Sequence, residues 1–336
     1  MLFSGSPGLS RWPTSGKPAA SVSSLPTDAR QQSDYKLISR QVQPQQTFAA
    51  KVEEVRIAFS VLDRQGRAVA RISPGDVEVT DERHAIAELS SFVQTADLPL
   101  RLGVLVDISE SMTRGFADEQ KAAHEFLEKI VRPDRDKVLV GSFATHVVLS
   151  KYGEHTPEIL NVASASRPDN QTALYDALTA SCLSGVMTER ENFPVRRAIV
   201  LLSDGEDTDS YHTLQDAIRW AQRFEVAVYA IRMAGSPSTR RGNSVLEELA
   251  SATGGRVFFL SDDSQLATAF GQIEEELRLQ YVLTYQRSLA PPYDGFHHVQ
   301  VAIRDQPNLR IISRAGYFAR GSESHADAGR IGYEKP

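Results

Sequence analysis

From Leu102 onward, short apolar runs alternate with stretches in which apolar residues recur every three or four positions. The runs Leu102–Val106, Lys137–Phe143, Ala198–Ser203, Glu225–Ile231 and Arg256–Leu260 have the length and β-branched content of buried strands, and His146–Leu149 reads as an antiparallel edge. Between them, Ala123, Phe126, Leu127, Ile130 and Val131 lie at helical spacing, as do Leu174, Ala177, Leu178 and Ser181, and Leu214, Ala217, Ile218 and Ala221. Val245, Leu246 and Leu249 mark a further helix, and Leu266, Phe270, Ile273 and Leu277 a long final one. This alternation predicts an α/β fold, doubly wound, with a mostly parallel central sheet and helices on both faces.

The pattern changes on either side of this core. Val55–Leu62, Ala68–Ile72, Val77–Thr80 and Ile86–Val93 read as short antiparallel strands, punctuated by Asp63-Arg64-Gln65-Gly66 and Ser73-Pro74-Gly75-Asp76. Gln280–Gln286, His298–Ile303 and Leu309–Ala315 read likewise, separated by Pro291-Pro292-Tyr293-Asp294-Gly295 and Asp305-Gln306-Pro307-Asn308. Because domain termini lie close together and unpaired strands leave exposed edges, both flanks are expected to form one small antiparallel β domain. The predicted plan is a disordered lead over 1–45, a β-rich flank over 46–97, an α/β domain over 98–280, a second flank over 281–320 packing with 46–97, and a disordered tail over 321–336.

Candidate chemistry gathers where the predicted strands end. Asp107-Ile108-Ser109-Glu110-Ser111 follows the first apolar run, so one carboxylate and two hydroxyls fall on a single turn, a donor set that suits a hard cation such as Mg²⁺. Taken alone, the same residues serve equally as a helix cap or an Asx turn. Two later segments extend the set: Ser203-Asp204-Gly205 ends another apolar run, and Thr172 opens a predicted helix. In open α/β sheets ligands sit outside the carboxyl ends of the strands, and Asp107 and Asp204 both lie at such ends.

With these residues in place, strand-Asp107-x-Ser109-x-Ser111, Thr172 opening Thr172-Ala173-Leu174-Tyr175-Asp176, and Leu201-Leu202-Ser203-Asp204-Gly205 resemble the von Willebrand factor type A domain and its metal-ion-dependent adhesion site (MIDAS). The similarity covers about residues 98–280, and the flanks resemble a bacterial subgroup with β-rich segments on both sides. The resemblance implies that Ser109, Ser111 and Thr172 approach a divalent cation, Mg²⁺ or alternatively Mn²⁺ or Ca²⁺, while Asp107 and Asp204 act directly or through water. It implies a module for adhesion or assembly in which the metal accepts an Asp or Glu from a protein partner, and an extracytoplasmic setting. A second reading is a structural subunit whose metal only stabilises the fold, and a third a Mg²⁺-dependent phosphohydrolase. Glu110, Glu206, Asp207 and Asp209 form an expected acidic rim that would favour a partner with basic neighbours around its carboxylate.

Composition narrows the alternatives. With 37 basic and 43 acidic side chains the net charge is −6, which gives no global attraction to nucleic acid or to an anionic membrane. No run approaches the ~18 apolar residues of a membrane span, and residues 1–35 lack the apolar core of a signal peptide. The single cysteine, Cys182, falls in a helical stripe and reads as a small buried hydrophobe. No Gly-x-Gly-x-x-Gly, P-loop or Gly-x-Ser-x-Gly motif is present, the scattered histidines supply no zinc set, and no enzymatic activity is expected.

Overall fold

The computed structural model describes residues 51–112, 116–150, 171–189, 191, 193–234, 236, 239–289 and 295–319. The expected lead, tail and the turn over 291–294 lie outside the described residues. Along β1 (Lys51–Leu62), Val55, Ile57 and Phe59 are buried while Val52 and Glu54 are exposed, so one face of the strand is committed to a core. β2 (Val77–Asp81) repeats the alternation, and the short strands β3 (His84–Ala85) and β4 (Ser91–Gln94) follow. The expected strand over Ala68–Ile72 does not form. The Tyr281 hydroxyl lies 3.2 Å from the Ile72 N–H and 3.3 Å from the Val69 carbonyl, meeting backbone groups that a strand partner would otherwise satisfy. Ile86–Val93, expected as one strand, is divided because Ala85 pairs with β2 whereas Ser91–Gln94 pairs with residues of another sheet, Tyr281–Thr284.

β5 (Leu100–Asp107) is buried at all 8 positions, the signature of a strand covered on both faces. After it come α1 (Phe116–Ile130), β6 (Lys137–Phe143), β7 (Val147–Leu149), α2 (Leu174–Cys182), the short α3 (Gly185–Thr188) and β8 (Arg196–Leu202). α4 (Leu214–Arg223), β9 (Val226–Arg232), α5 (Arg240–Thr253), β10 (Val257–Phe259) and α6 (Leu266–Leu279) complete the body. Its sheet has the order β10-β9-β8-β5-β6-β7, parallel throughout except for the antiparallel edge β7. α1 and α6 cover one face, where Phe126 stacks on Phe270 at 4.6 Å, and α2, α4 and α5 cover the other, each face with its own apolar core. The chain moves outward from β5 to β6 and β7, then returns to lay β8 on the opposite side of β5. Strand order therefore reverses between β5 and β8, and this switch point positions the candidate site.

The C-terminal flank supplies β11 (Tyr281–Leu289), β12 (Phe296–Ile303), β13 (Arg310–Ser313) and β14 (Gly316–Phe318). β11 runs antiparallel to β1 from Lys51↔Leu289 to Phe59↔Tyr281, giving one sheet in the order β13-β1-β11-β4 and a second in the order β14-β12-β2-β3. Ile57, Phe59, Leu283 and Tyr285 of the first share a core with Val79, Val299 and Val301 of the second. Leu309–Ala315, expected as a single strand, divides between the sheets: Ser313 pairs with Phe59 and Gly316 with His298. Only glycine fits at 316, since the His297 carbonyl lies 2.0 Å from where a Cβ would sit. Buried Asp81 joins the two sheets, accepting from the Tyr285 and Tyr317 hydroxyls at 2.8 and 3.0 Å and pairing with Arg287.

α6 runs into β11 through Gln280, whose carbonyl accepts from the Thr95 N–H at 2.8 Å and its hydroxyl at 3.0 Å. One turn earlier, Glu276 is 1% exposed and meets Arg256 Nη2 at 2.5 Å, yet neither carboxylate oxygen makes a well-directed hydrogen bond among the described residues. Burial pushes its carboxyl up to about 7, against the opposing pull of Arg256. A carboxyl whose pKa is higher folded than unfolded contributes stability below its unfolded value that is lost as pH rises through the folded value. Glu276→Gln carries no such titration. Its unfolding free energy relative to wild type is therefore expected to grow between pH 4.5 and pH 7.5 by up to about 3 kcal/mol, read from urea melts at both pH values. A constant difference would show that Glu276 is ionised at no cost. Cys182 is wholly buried in α2, and burial pushes its thiol up to about 12, which makes it a packing residue and not a nucleophile. Among the described residues no helix is long and apolar enough to cross a membrane.

Candidate metal centre

The backbone turns sharply at both strand tips of the switch point, and an aspartate holds each turn. After β5, the Ser109 N–H donates to Asp107 Oδ1 at 3.0 Å, and Met112 N–H to the Ser109 carbonyl at 2.9 Å closes a 3-10 turn over Glu110–Met112. After β8, the Glu206 N–H donates to Asp204 Oδ1 at 3.0 Å in the same Asx arrangement. The two turns are joined side to side: Ser203 gives its hydroxyl to Asp107 Oδ2 at 2.7 Å and accepts from the Gly205 N–H at 3.1 Å. A turn-forming role for the aspartates thus coexists with their convergence at one edge.

The third segment is pinned to the same edge. The Thr172 N–H donates to the Thr208 hydroxyl at 2.9 Å, and the Thr172 carbonyl accepts from Thr208 and Asp209 N–H at 2.9 and 3.1 Å. Ala173 N–H reaches the Ala144 carbonyl at 2.8 Å, just beyond β6, while Ile108 N–H reaches Phe143 at 2.9 Å. The structure therefore brings Asp107, Ser109, Thr172 and Asp204 together. Ser111 lies in the 3-10 turn, and its side chain is outside the described residues.

These four residues are almost withdrawn from solvent: Asp107 is 0%, Asp204 2%, Ser109 3% and Thr172 6% exposed. Burial raises the Asp107 carboxyl to about 6; hydrogen bonds from Ser109 and Ser203 oppose the shift, and the neighbouring Asp204 charge adds to it. No arginine, lysine or histidine forms an ion pair with either aspartate among the described residues. Two carboxylates held together without a counter-charge are costly unless a cation joins them. The donors on hand fit a hard cation, because oxygen ligands from two carboxylates and neighbouring hydroxyls are what such an ion takes. No group of three or more His, Cys, Asp or Glu that could hold a metal occurs among the described residues.

Other residues brace the site without having announced it in sequence. Ala173 cannot cap α2, and first-turn N–H groups that lack a partner within the helix are met across the loop: Tyr175 N–H donates to Asp207 Oδ1 at 3.2 Å and to the Ser210 hydroxyl at 3.0 Å. Asp207, expected on the acidic rim, thus has one oxygen committed to a helix terminus. Glu206 accepts from the Thr239 hydroxyl, which also caps α5 by accepting from Gly242 N–H at 2.8 Å. Glu110 is exposed and Asp209 half-buried, while Arg240 and Arg241 are exposed at the start of α5. These arginines follow Thr239, the residue bonded to Glu206, so basic groups enter the chain next to the expected acidic set. Gly205, at φ +83°, packs directly on α5, with the Gly242 carbonyl 2.3 Å from where a Cβ would sit.

A model of the von Willebrand factor type A domain matches residues 102–272, just over half of the 336 residues. The chain belongs to this family. Domains of the family are commonly metal-dependent protein-interaction modules. Among solved structures, the chain is similar to proximal thread matrix protein 1 from the mussel byssus with its MIDAS motif occupied by zinc, at 17% identity and a TM-score of 0.47, over 59% of this chain and 50% of that one. It is also similar to a von Willebrand factor type A protein from Catenulispora acidiphila, at 12% identity and a TM-score of 0.44, over 82% of this chain and 75% of that one. The chain spans about half the length of the mussel protein it matches. No curated protein matches it.

Proposed function

We propose that the chain is a divalent-cation-dependent protein-binding module whose metal is held at an intact MIDAS by Asp107, Ser109, Ser111, Thr172 and Asp204. The observation that carries this reading is the pair of buried carboxylates, Asp107 and Asp204, set at the switch point without an ion pair among the described residues, with the Ser203 and Ser109 hydroxyls on Asp107. The bound cation, Mg²⁺ or alternatively Mn²⁺ or Ca²⁺, supplies a Lewis-acidic position that a carboxylate can occupy in place of water. The protein's residues do the rest: Ser203 and the Ser109 N–H orient Asp107, and the Thr208–Thr172 clamp fixes the third segment. A partner presenting Asp or Glu completes the site. Bacterial origin and a role in adhesion or assembly accord with the flanking β segments, and no enzymatic turnover belongs to this reading.

The depth of Asp107 and Asp204 favours one alternative, a metal that only stabilises the fold. Affinity capture from an extract of the source cells separates the two. On the first reading, a partner retained in Mg²⁺ is released by EDTA and fails to bind Asp107→Asn while the protein stays folded at the working temperature. A partner retained in EDTA by a protein whose thermal midpoint has fallen favours the second. Turnover of a generic phosphate ester would overturn both.

A further inference from the structure

The loop after Asp204 is tied by its backbone N–H groups to Thr172 and Asp176 and yet gives its largest side chain to solvent. Tyr211 is 97% exposed, the highest value among the exposed large hydrophobic residues described. A loose chain does not account for this. Tyr211 N–H donates to Asp176 Oδ2 at 3.0 Å, His212 N–H donates to Asp176 Oδ1 at 2.9 Å, and His212 Nδ1 lies 2.6 Å from that same oxygen. On one side, Ser210 gives its hydroxyl to Asp207 at 2.5 Å; on the other, Thr213 forms a capping box with Asp216 at the start of α4.

The position is as informative as the exposure. Thr208 touches Thr172 of the candidate metal centre, and three residues of chain reach at most about 11 Å, so the Tyr211 backbone stands within that distance of Thr208. Asp176, which fixes Tyr211, is in the first turn of the helix that Thr172 opens. The ring therefore stands in solvent on a backbone that lies close in the chain to Thr208 and needs no ordering on contact, which removes one of the usual costs of association. Tyrosine is also among the residues most enriched where a few side chains dominate an interface. Charge offers less discrimination here, since exposed Arg240 and Arg241 follow Thr239, which bonds Glu206, and so bring basic groups next to the acidic set.

We infer that Tyr211 determines specificity at this site: the protein that offers its Asp or Glu to the metal also carries, beside that carboxylate, an apolar pocket that receives the Tyr211 ring. The inference rests on the metal-centred reading above, and the experiment keeps the two apart. The probe is a phage-displayed library of short disulfide-closed peptides, one central Asp fixed and the flanks random, selected on the wild-type protein in Mg²⁺. Selected peptides are expected to lose about 10- to 100-fold in affinity toward Tyr211→Ala and to keep it toward Tyr211→Phe. The thermal midpoint and Mg²⁺ affinity of Tyr211→Ala stay at wild-type values, because the side chain touches solvent and not the fold. If Tyr211→Ala binds as wild type while Asp107→Asn does not bind, this inference is overturned and the metal-centred reading stands. Peptides that bind Asp107→Asn in EDTA as well as they bind wild type in Mg²⁺ overturn the metal-centred reading, and this inference with it.

Discussion

Mg²⁺ is expected to raise the thermal midpoint of the wild-type protein by several degrees, and Asp107→Asn to abolish that rise. An ion that binds only the folded state at a hundred times its dissociation constant adds about 2.7 kcal/mol, which for a domain of this size is on the order of 5–10 °C. Asparagine is the sharper substitution because it separates charge from geometry. Its amide oxygen can still accept from the Ser109 N–H now held at 3.0 Å, and its far end still faces the Ser203 hydroxyl. What it removes is a carboxylate that burial and the adjacent Asp204 both disfavour. In EDTA, where wild type keeps two buried carboxylates without a counter-ion, Asp107→Asn should be at least as stable as wild type. In Mg²⁺ the order should reverse, because only wild type gains from the cation. Differential scanning calorimetry of both proteins in both buffers tests the crossing, and an equal Mg²⁺ response in the two would remove Asp107 from the ligand set.

Local pattern made the central body legible because its strands are covered on both faces. The apolar run Leu102–Val106 announced β5, but its start did not show: Arg101 is 3% exposed only because it pairs with Glu191 and donates to the Arg135 carbonyl at 3.0 Å. Partners so distant in sequence leave no trace in periodicity. The flanks were harder for a related reason. Leu309–Ala315 reads as one strand, since nothing local records that the chain passes from one sheet to another at Gly316. At the site, Asp107 and Asp204 were visible because a polar residue ending an apolar run breaks a strong pattern. The Ser203 hydroxyl that joins them, and the Asp207–Ser210 cap on α2, were not, because each depends on which loops the fold places side by side.

Gly205→Ala is expected to destabilise the protein by about 2–5 kcal/mol and to weaken cation binding with it, through contacts that lie wholly in the backbone. Gly205 sits at φ +83°, a left-handed conformation that costs an L-residue about 1–2 kcal/mol. Its new methyl would also lie 2.3 Å from the Gly242 carbonyl oxygen and 2.8 Å from Leu246 Cγ. A carbonyl within a helix cannot swing aside as a flexible side chain can, so α5 or the Asp204 turn must move. The contact is reciprocal: a Cβ at Gly242 would lie 2.3 Å from the Asp204 carbonyl oxygen, so Gly242→Ala should disturb the same turn from the other side. Either shift moves Asp204 relative to Asp107, whose carboxylate is held by the hydroxyl of the neighbouring Ser203. Gly271→Ala provides the control, since that α6 glycine has nothing within 4 Å of the added methyl and the change should stabilise by about 0.4–1 kcal/mol. Urea unfolding of the three variants, with Mg²⁺ titrated onto each by calorimetry, reads both effects. If Gly205→Ala unfolds at the wild-type midpoint, then α5 does not rest on the Asp204 turn as described, and the link from helix packing to the metal edge fails.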